Sequence, residues 1–238
     1  MTPDVREVAM PIGPRVDASP ARRPGRITMQ GRLTTLVPLD PRAHGDALFE
    51  GTRGAGGDRL WQYLFEGPFS DRASFDIHLQ RLAGSDDPLF FAILDSASRS
   101  AVGYAAYMRI EPVHRVIEVG SILYTPQLQQ TPLATEAMYL MARHVFEDLG
   151  YRRYEWKCND LNAPSRRAAL RFGFKFEGVF RQHMLVKGRN RDTAWFSMLD
   201  SEWPARKVNF ERWLDPLNFG PDGRQKLALS QLNRLSES

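Results

Sequence analysis

A chain of 238 residues with 42% hydrophobic and 25% charged side chains carries enough apolar surface for one large core and is not broadly disordered. Its 32 basic and 28 acidic residues are interspersed, so the net charge of +4 reads as a mixed, solvated surface and no nucleic-acid face is expected. No apolar run is long enough to cross a bilayer and no hydrophobic signal segment opens the chain, so no membrane association is expected.

In chain order, residues 1–25 hold Pro3, Pro11, Pro14, Pro20 and Pro24 among small and charged side chains, which reads as a flexible leader. Residues 32–39 form a first strand, stopped by Asp40-Pro41. Residues 43–64 look helical in pieces, broken by Gly51, Gly54, Gly56 and Gly57, and Trp61, Phe65 and Phe69 add an aromatic cluster. Ser70 or Asp71 can cap a helix that puts Phe75, Leu79 and Leu82 on one face. Residues 89–94 and 101–110 read as strands around a turn, and 116–124 as another, closed by Thr125-Pro126. Thr131-Pro132 starts a helix, with threonine as N-cap and proline at the first helical position; it runs to about Leu149 and stops at Gly150. Tyr154, Trp156 and Cys158 alternate with Glu155 and Lys157 in a strand buried on one face. A short helix over 164–172 ends at Gly173, and strands near 178–186 and 193–199 flank Gly188-Arg189-Asn190. A helix from about Ser201 carries Trp203, Phe210 and Trp213, and a last amphipathic segment carries Leu227, Leu232 and Leu235. The expected layout is a leader (1–25), a mixed α/β domain (26–203) and a C-terminal helical extension (204–238), not a repeated βαβ wind.

The series of strand 117–124, loop 129–133, Ala134-Thr135-Glu136-Ala137, strand 151–158, Asn162 to Ser165 as Asn-x-x-Ser, Gly173-Phe174 and Glu177-Gly178 resembles the GNAT superfamily of N-acetyltransferases. It is most similar to the Rim-type branch, which includes ribosomal-protein N-terminal acetyltransferases. The resemblance covers roughly residues 32–203. It implies a GNAT-like fold, with a central mixed, mostly antiparallel sheet flanked by helices. It also implies acetyl-CoA as acyl donor, an amine acceptor, and a monomer or homodimer. In that family the pantetheine arm lies along the strand that holds Ser121, Ile122 and Leu123 here. The diphosphate meets the loop that holds Gln129, Gln130, Thr131, Leu133, Ala134 and Thr135, and an asparagine matching Asn162 contacts the cofactor arm. Asn162 also fits as the N-cap of the helix that follows it. The loop departs from the family pattern at Pro132, where a glycine is usual. Proline at a first helical position still leaves the amides of Leu133, Ala134 and Thr135 to bind phosphate at the positive end of the helix.

Amide formation needs a neutral amine, and an amine with a pKa near 10.4 is only about 0.04% neutral at pH 7, so a base helps. Glu118 is the candidate base, acting directly or through water; as an alternating strand residue it could equally be a solvated carboxylate. Many superfamily members place a proton-donating tyrosine seven residues after the asparagine, where this chain has Ala169. Ser165 is the Rim-type substitute as proton donor, or a structural residue of the first helical turn; Tyr124 is a weaker donor candidate. Cys158, the only cysteine, excludes an internal disulfide, fits a reducing cytoplasmic setting and reads as a core thiol rather than an acyl carrier. His44, His78, His114, His144 and His183 lack metal-ligand spacing, so no metal is expected. The alternative to an enzyme is a non-catalytic coenzyme-A-binding sensor or interaction module.

Overall fold

The computed structural model describes residues 12–54 and 56–236. Eight strands form one sheet in the order β1-β2-β3-β4-β5-β6-β8-β7. They are β1 (Met29–Gln30), β2 (Thr34–Pro38), β3 (Leu89–Asp95), β4 (Ala101–Glu111), β5 (Val116–Tyr124), β6 (Arg153–Asn159), β7 (Lys175–Val186) and β8 (Arg189–Leu199). All neighbours pair antiparallel except β5 and β6. A parallel pair needs a crossover, and α3 (Pro132–Arg143) supplies it.

The alternation of each strand sorts side chains to two faces. On one, Ile117, Val119, Tyr154, Trp156, Cys158 and Phe196 pack with the buried stripe of α3 and with Trp203 and Phe210 of α5 (Trp203–Leu214). On the other, α1 (Pro41–Gly51) and α2 (Arg72–Ala83) bring Leu48, Phe49, Phe75 and Leu79 onto Phe90, Tyr104 and Leu123. Asp71 caps α2, its Oδ1 accepting from the Ser74 amide at 2.8 Å. Buried Glu136 of α3 accepts from the amides of Arg32, Leu33 and Thr34 at 3.1, 2.6 and 2.7 Å, and so pins the β1–β2 turn to the crossover helix. A Cβ on Gly31 would lie 2.5 Å from that carboxylate, which is why the turn needs glycine there.

Several boundaries differ from the sequence expectation. The crossover helix keeps α-geometry only to Arg143 and continues as a wider π turn, His144–Asp148, which keeps Val145 and Leu149 on the buried side. α4 (Ala163–Arg171) begins one residue earlier because Asn162 is its cap. β7 begins at Lys175, and two-residue β1 is too short to leave a periodic signal. The leader expected over 1–25 lies partly outside the described residues. Within it, the Ala21 and Arg22 amides donate to Pro112 O at 3.0 Å and Leu149 O at 2.9 Å, so that part is anchored to the domain. α5 and α6 (Leu229–Leu235) contribute Trp213, Leu214, Leu229 and Leu232 to the same core as the sheet.

Candidate active site

The β5–β6 ladder runs from Val116↔Arg153 to Val119↔Trp156 and stops. β5 continues to Tyr124 against β4, and β6 continues to Asn159 against β8. The two central strands therefore part beyond Val119 and Trp156, leaving a wedge in the middle of the sheet. β5 is bulged at that point. Ala106 faces Gly120 and Tyr104 faces Leu123, so three steps of β5 match two of β4, and Ser121 takes a left-handed φ of 48°. A Cβ on Gly120 would lie 2.5 Å from Met108 Sδ, so a larger residue there would require the Met108 side chain to shift.

At the far end of β5 the chain turns into α3. Gln129 Nε2 donates to Tyr124 O at 3.0 Å, and Gln130 adopts φ 60°. Thr131 is the N-cap: its hydroxyl donates to Leu128 O at 2.7 Å and accepts from the Ala134 amide at 3.3 Å. Of the three amides expected to face a ligand, Ala134's is thus shared with the cap, while Leu133, half-buried beside Pro132, keeps its own in the first turn. Thr135 is buried, and its hydroxyl accepts from Arg171 Nη1 at 3.0 Å. Ser121, Ile122 and Leu123 thus follow the bulge on β5, Leu123 buried in the core at 1% exposure, and Gln129, Gln130, Thr131 and Leu133 form the turn into α3.

Asn162 caps α4 through Oδ1, which accepts from the Ser165 amide at 3.2 Å. Ser165 Oγ in turn accepts from the Trp156 indole at 3.0 Å, so the serine has a structural duty and retains its own proton to donate. Cys158 is 5% exposed in the core, and burial raises its pKa, which suits an inert thiol. Ala169 is fully buried. The Tyr124 hydroxyl reaches Ala134 O at 3.5 Å, and burial pushes its pKa up.

Glu118 is not a solvated carboxylate: it is 4% exposed, between Ile117 and Val119 but on the opposite face. Its Oε2 lies 2.9 Å from Arg109 Nε and 3.0 Å from Lys157 Nζ. Its Oε1 is the oxygen that comes nearest Gly120, 3.3 Å from where a Cβ would stand. Burial raises its pKa, opposed first by Lys157 and then by Arg109. Lys157, its side chain 3% exposed, also reaches Glu155 Oε2 at 2.6 Å and lies 3.8 Å from the Trp195 ring centre. Just before the strands part, one sheet face therefore holds Glu118, Glu155 and Lys157 as a buried cluster, with half-exposed Arg109 at its edge.

Beside the bulge, on the α1–α2 face, lies a cavity of about 250 Å³ lined by Trp61, Phe65, Glu66, His78, Tyr104 and Ser121, among others. Trp61 is both core and wall, packing edge-on to Phe69 and Phe75, whereas Phe65 is 42% exposed. His78 Nδ1 meets Glu66 Oε2 at 2.7 Å and its Nε2 lies 3.4 Å from Tyr104 Oη. Burial lowers the His78 pKa, with Glu66 opposing. Glu66 and Tyr104 carry no signal in the sequence as site residues, and His78 stands there only among histidines without metal-ligand spacing. The signal His78 could have given is its place on the apolar stripe of α2, one turn of helix from Phe75. Two contacts cross the top of the wedge: Tyr63 Oη donates to Leu161 O at 3.1 Å and Lys187 Nζ to Trp61 O at 2.7 Å.

Residues 35–175 match the family described as Acetyltransferase (GNAT) domain. The crystal structure of a GCN5-related N-acetyltransferase from Brucella melitensis is similar at 50% identity and TM-score 0.90, over 92% of this chain and 99% of that one. A probable acetyltransferase of the GNAT family from Chromobacterium violaceum ATCC 12472 is 41% identical at TM-score 0.75, over 83% and 100% of the two chains. The ribosomal-protein-serine acetyltransferase of Escherichia coli (strain K12) is 31% identical over 102 residues, 42% of this chain and 56% of that protein. The match thus spans a little over half the length of the first curated relatives. The chain belongs to the GNAT acetyltransferase family.

Proposed function

We propose that the protein transfers the acetyl group of acetyl-CoA to a primary amine of a protein or small molecule, by direct attack in a ternary complex. The observation that carries this reading is the parting of β5 from β6 at Val119 and Trp156, with the α3 start at one end and the cavity over Ser121 beside it. The residues present fit the cofactor. Beyond the parting β5 has no ladder to β6, so backbone between Gly120 and Tyr124 is open to an amide-bearing arm. The Leu133 amide and the positive end of α3 suit a diphosphate, each such charge interaction contributing about 0.3–1 kcal/mol when exposed. Asn162 stands at the edge of the wedge, with its side-chain NH2 uncommitted by the cap bond.

Acetyl-CoA supplies an activated acetyl carbon as a thioester. As the amine nitrogen forms its bond to that carbon, the carbon–sulfur bond breaks; the nitrogen loses a proton and the thiolate takes one. Glu118 receives the amine proton on Oε1, directly or through water, while Arg109 and Lys157 hold Oε2 and fix the carboxylate. Burial favours that role by moving its pKa toward neutrality. Ser165, its oxygen fixed by the Trp156 indole, relays a proton to the thiolate, taking one from solvent water as it gives its own. The test is release of free coenzyme A thiol from acetyl-CoA across a panel of amines. Release that depends on the amine supports transfer; binding without release supports a sensor.

A further inference from the structure

β8 leaves its pairing with β6 at Asn159↔Thr193, and two residues away on the same face stands Arg191. It is 8% exposed. Its Nε donates to Thr193 Oγ1 at 3.2 Å, and its guanidinium lies 5.3 Å from the centre of the Phe65 ring. Phe65 also lines the cavity over the β5 bulge, so the guanidinium packs against a residue of the cavity wall without lining the cavity itself. Among the described residues, neither Nη nitrogen has a hydrogen-bond partner and no carboxylate comes within 4.0 Å of it. Glu118, the nearby acid, is held by Arg109 and Lys157. The contrast with Lys157 is direct: that equally buried cation of the same sheet face sits between two carboxylates.

A buried charge is costly unless it is paired, and burial already disfavours the charged form of Arg191. The fork of donors on a guanidinium matches a carboxylate in two parallel hydrogen bonds. We propose that Arg191 receives a carboxylate of the acceptor, so that the amine acetylated here carries an acidic group. Two sources share that chemistry: the α-carboxylate of a free amino acid, and an acidic side chain beside the terminal amine of a peptide. The inference rests on the acetyl-transfer reading and narrows its acceptor.

The experiment compares free amino acids with their carboxamides, and peptides with aspartate or asparagine at the second position, by thiol release from acetyl-CoA. Wild type is expected to favour the carboxylate member of one arm by at least about tenfold in kcat/KM. Arg191→Gln should lose that preference and Arg191→Lys should keep part of it. Without ligand, Arg191→Gln should melt close to wild type, because it loses only the Thr193 hydrogen bond, the Phe65 contact and a long-range attraction to Glu118. Equal use of carboxylates and carboxamides in both arms overturns the inference, as does a preference that survives Arg191→Gln or a marked drop in that variant's melting temperature. If no amine releases thiol, the transfer reading fails. The role of Arg191 is then decided by whether the carboxylate members, and not the amides, raise the melting temperature of the coenzyme-A-loaded wild type but not of Arg191→Gln.

Discussion

The two oxygens of Glu118 have different surroundings, and its predicted behaviour follows from that. Oε2 is held by two cations while Oε1 lies toward Gly120, so removal of the charge should disable proton removal without disturbing the cofactor path. Glu118→Gln is expected to lower turnover by about 10²–10⁴, most at neutral and lower pH, with coenzyme A affinity little changed. A pH–rate profile with calorimetry checks this, and unchanged turnover would make the residue structural. Lys157 gives a stability counterpart. Among the described residues, Lys157→Met leaves Glu118 with only Arg109 and Glu155 with only Arg153, a loss expected to fall below the about 3–5 kcal/mol of an uncompensated buried charge, read by denaturant unfolding. The sequence placed Glu118 and Lys157 on polar strand faces by alternation alone. Alternation says which side chains share a face; it does not say that the face is buried, or that β4 and β6 register brings Arg109 and Lys157 to one oxygen.

At the scale of elements, the start of α3 was legible because the Thr131-Pro132 pair states its own local geometry, and the threonine cap is made as that pattern requires. Since Pro132 has no amide to lose and stands where proline is already suited, Pro132→Gly should change coenzyme A affinity by no more than about tenfold. Leu133→Pro removes the first-turn amide assigned to phosphate and should weaken binding far more. Calorimetry of coenzyme A against its dephosphorylated pantetheine fragment checks both. Equal affinity for the two ligands would remove the diphosphate from this turn. The π turn after Arg143 was not legible, since a π turn and an α turn bury nearly the same stripe.

Across the whole molecule, the order of elements was legible and the resemblance implied a mixed, mostly antiparallel sheet, whereas the strand order, the parallel β5–β6 pair and the cavity beside the bulge were not. That cavity joins Phe65, His78, Tyr104 and Ser121 from four separate segments, and only the folded sheet brings them together. The same burial sets a pH dependence. His44 and His78 have pKa values lowered from 6.5, chiefly by desolvation, so the folded state prefers them neutral. Above 6.5 neither state binds the protons and stability is unaffected. As pH falls below 6.5 the unfolded chain takes them up first, and stability is lost down to the folded values. The melting temperature should therefore be lower at about pH 5.5 than at about pH 7.5, and His78→Gln should reduce the difference. A flat profile would mean that these histidines titrate alike in both states.

The central claim is that acetyl passes straight from the thioester to an amine within one complex. Isotopically labelled acetyl-CoA, incubated with protein and an amine panel and followed by mass spectrometry, tests it most directly. The account predicts label on the acceptor nitrogen in amounts matching the thiol released, none retained on Cys158, and initial-rate lines that intersect when both substrates are varied. Label trapped on the protein with parallel rate lines, or tight binding of acetyl-CoA with no labelled amine, would contradict it.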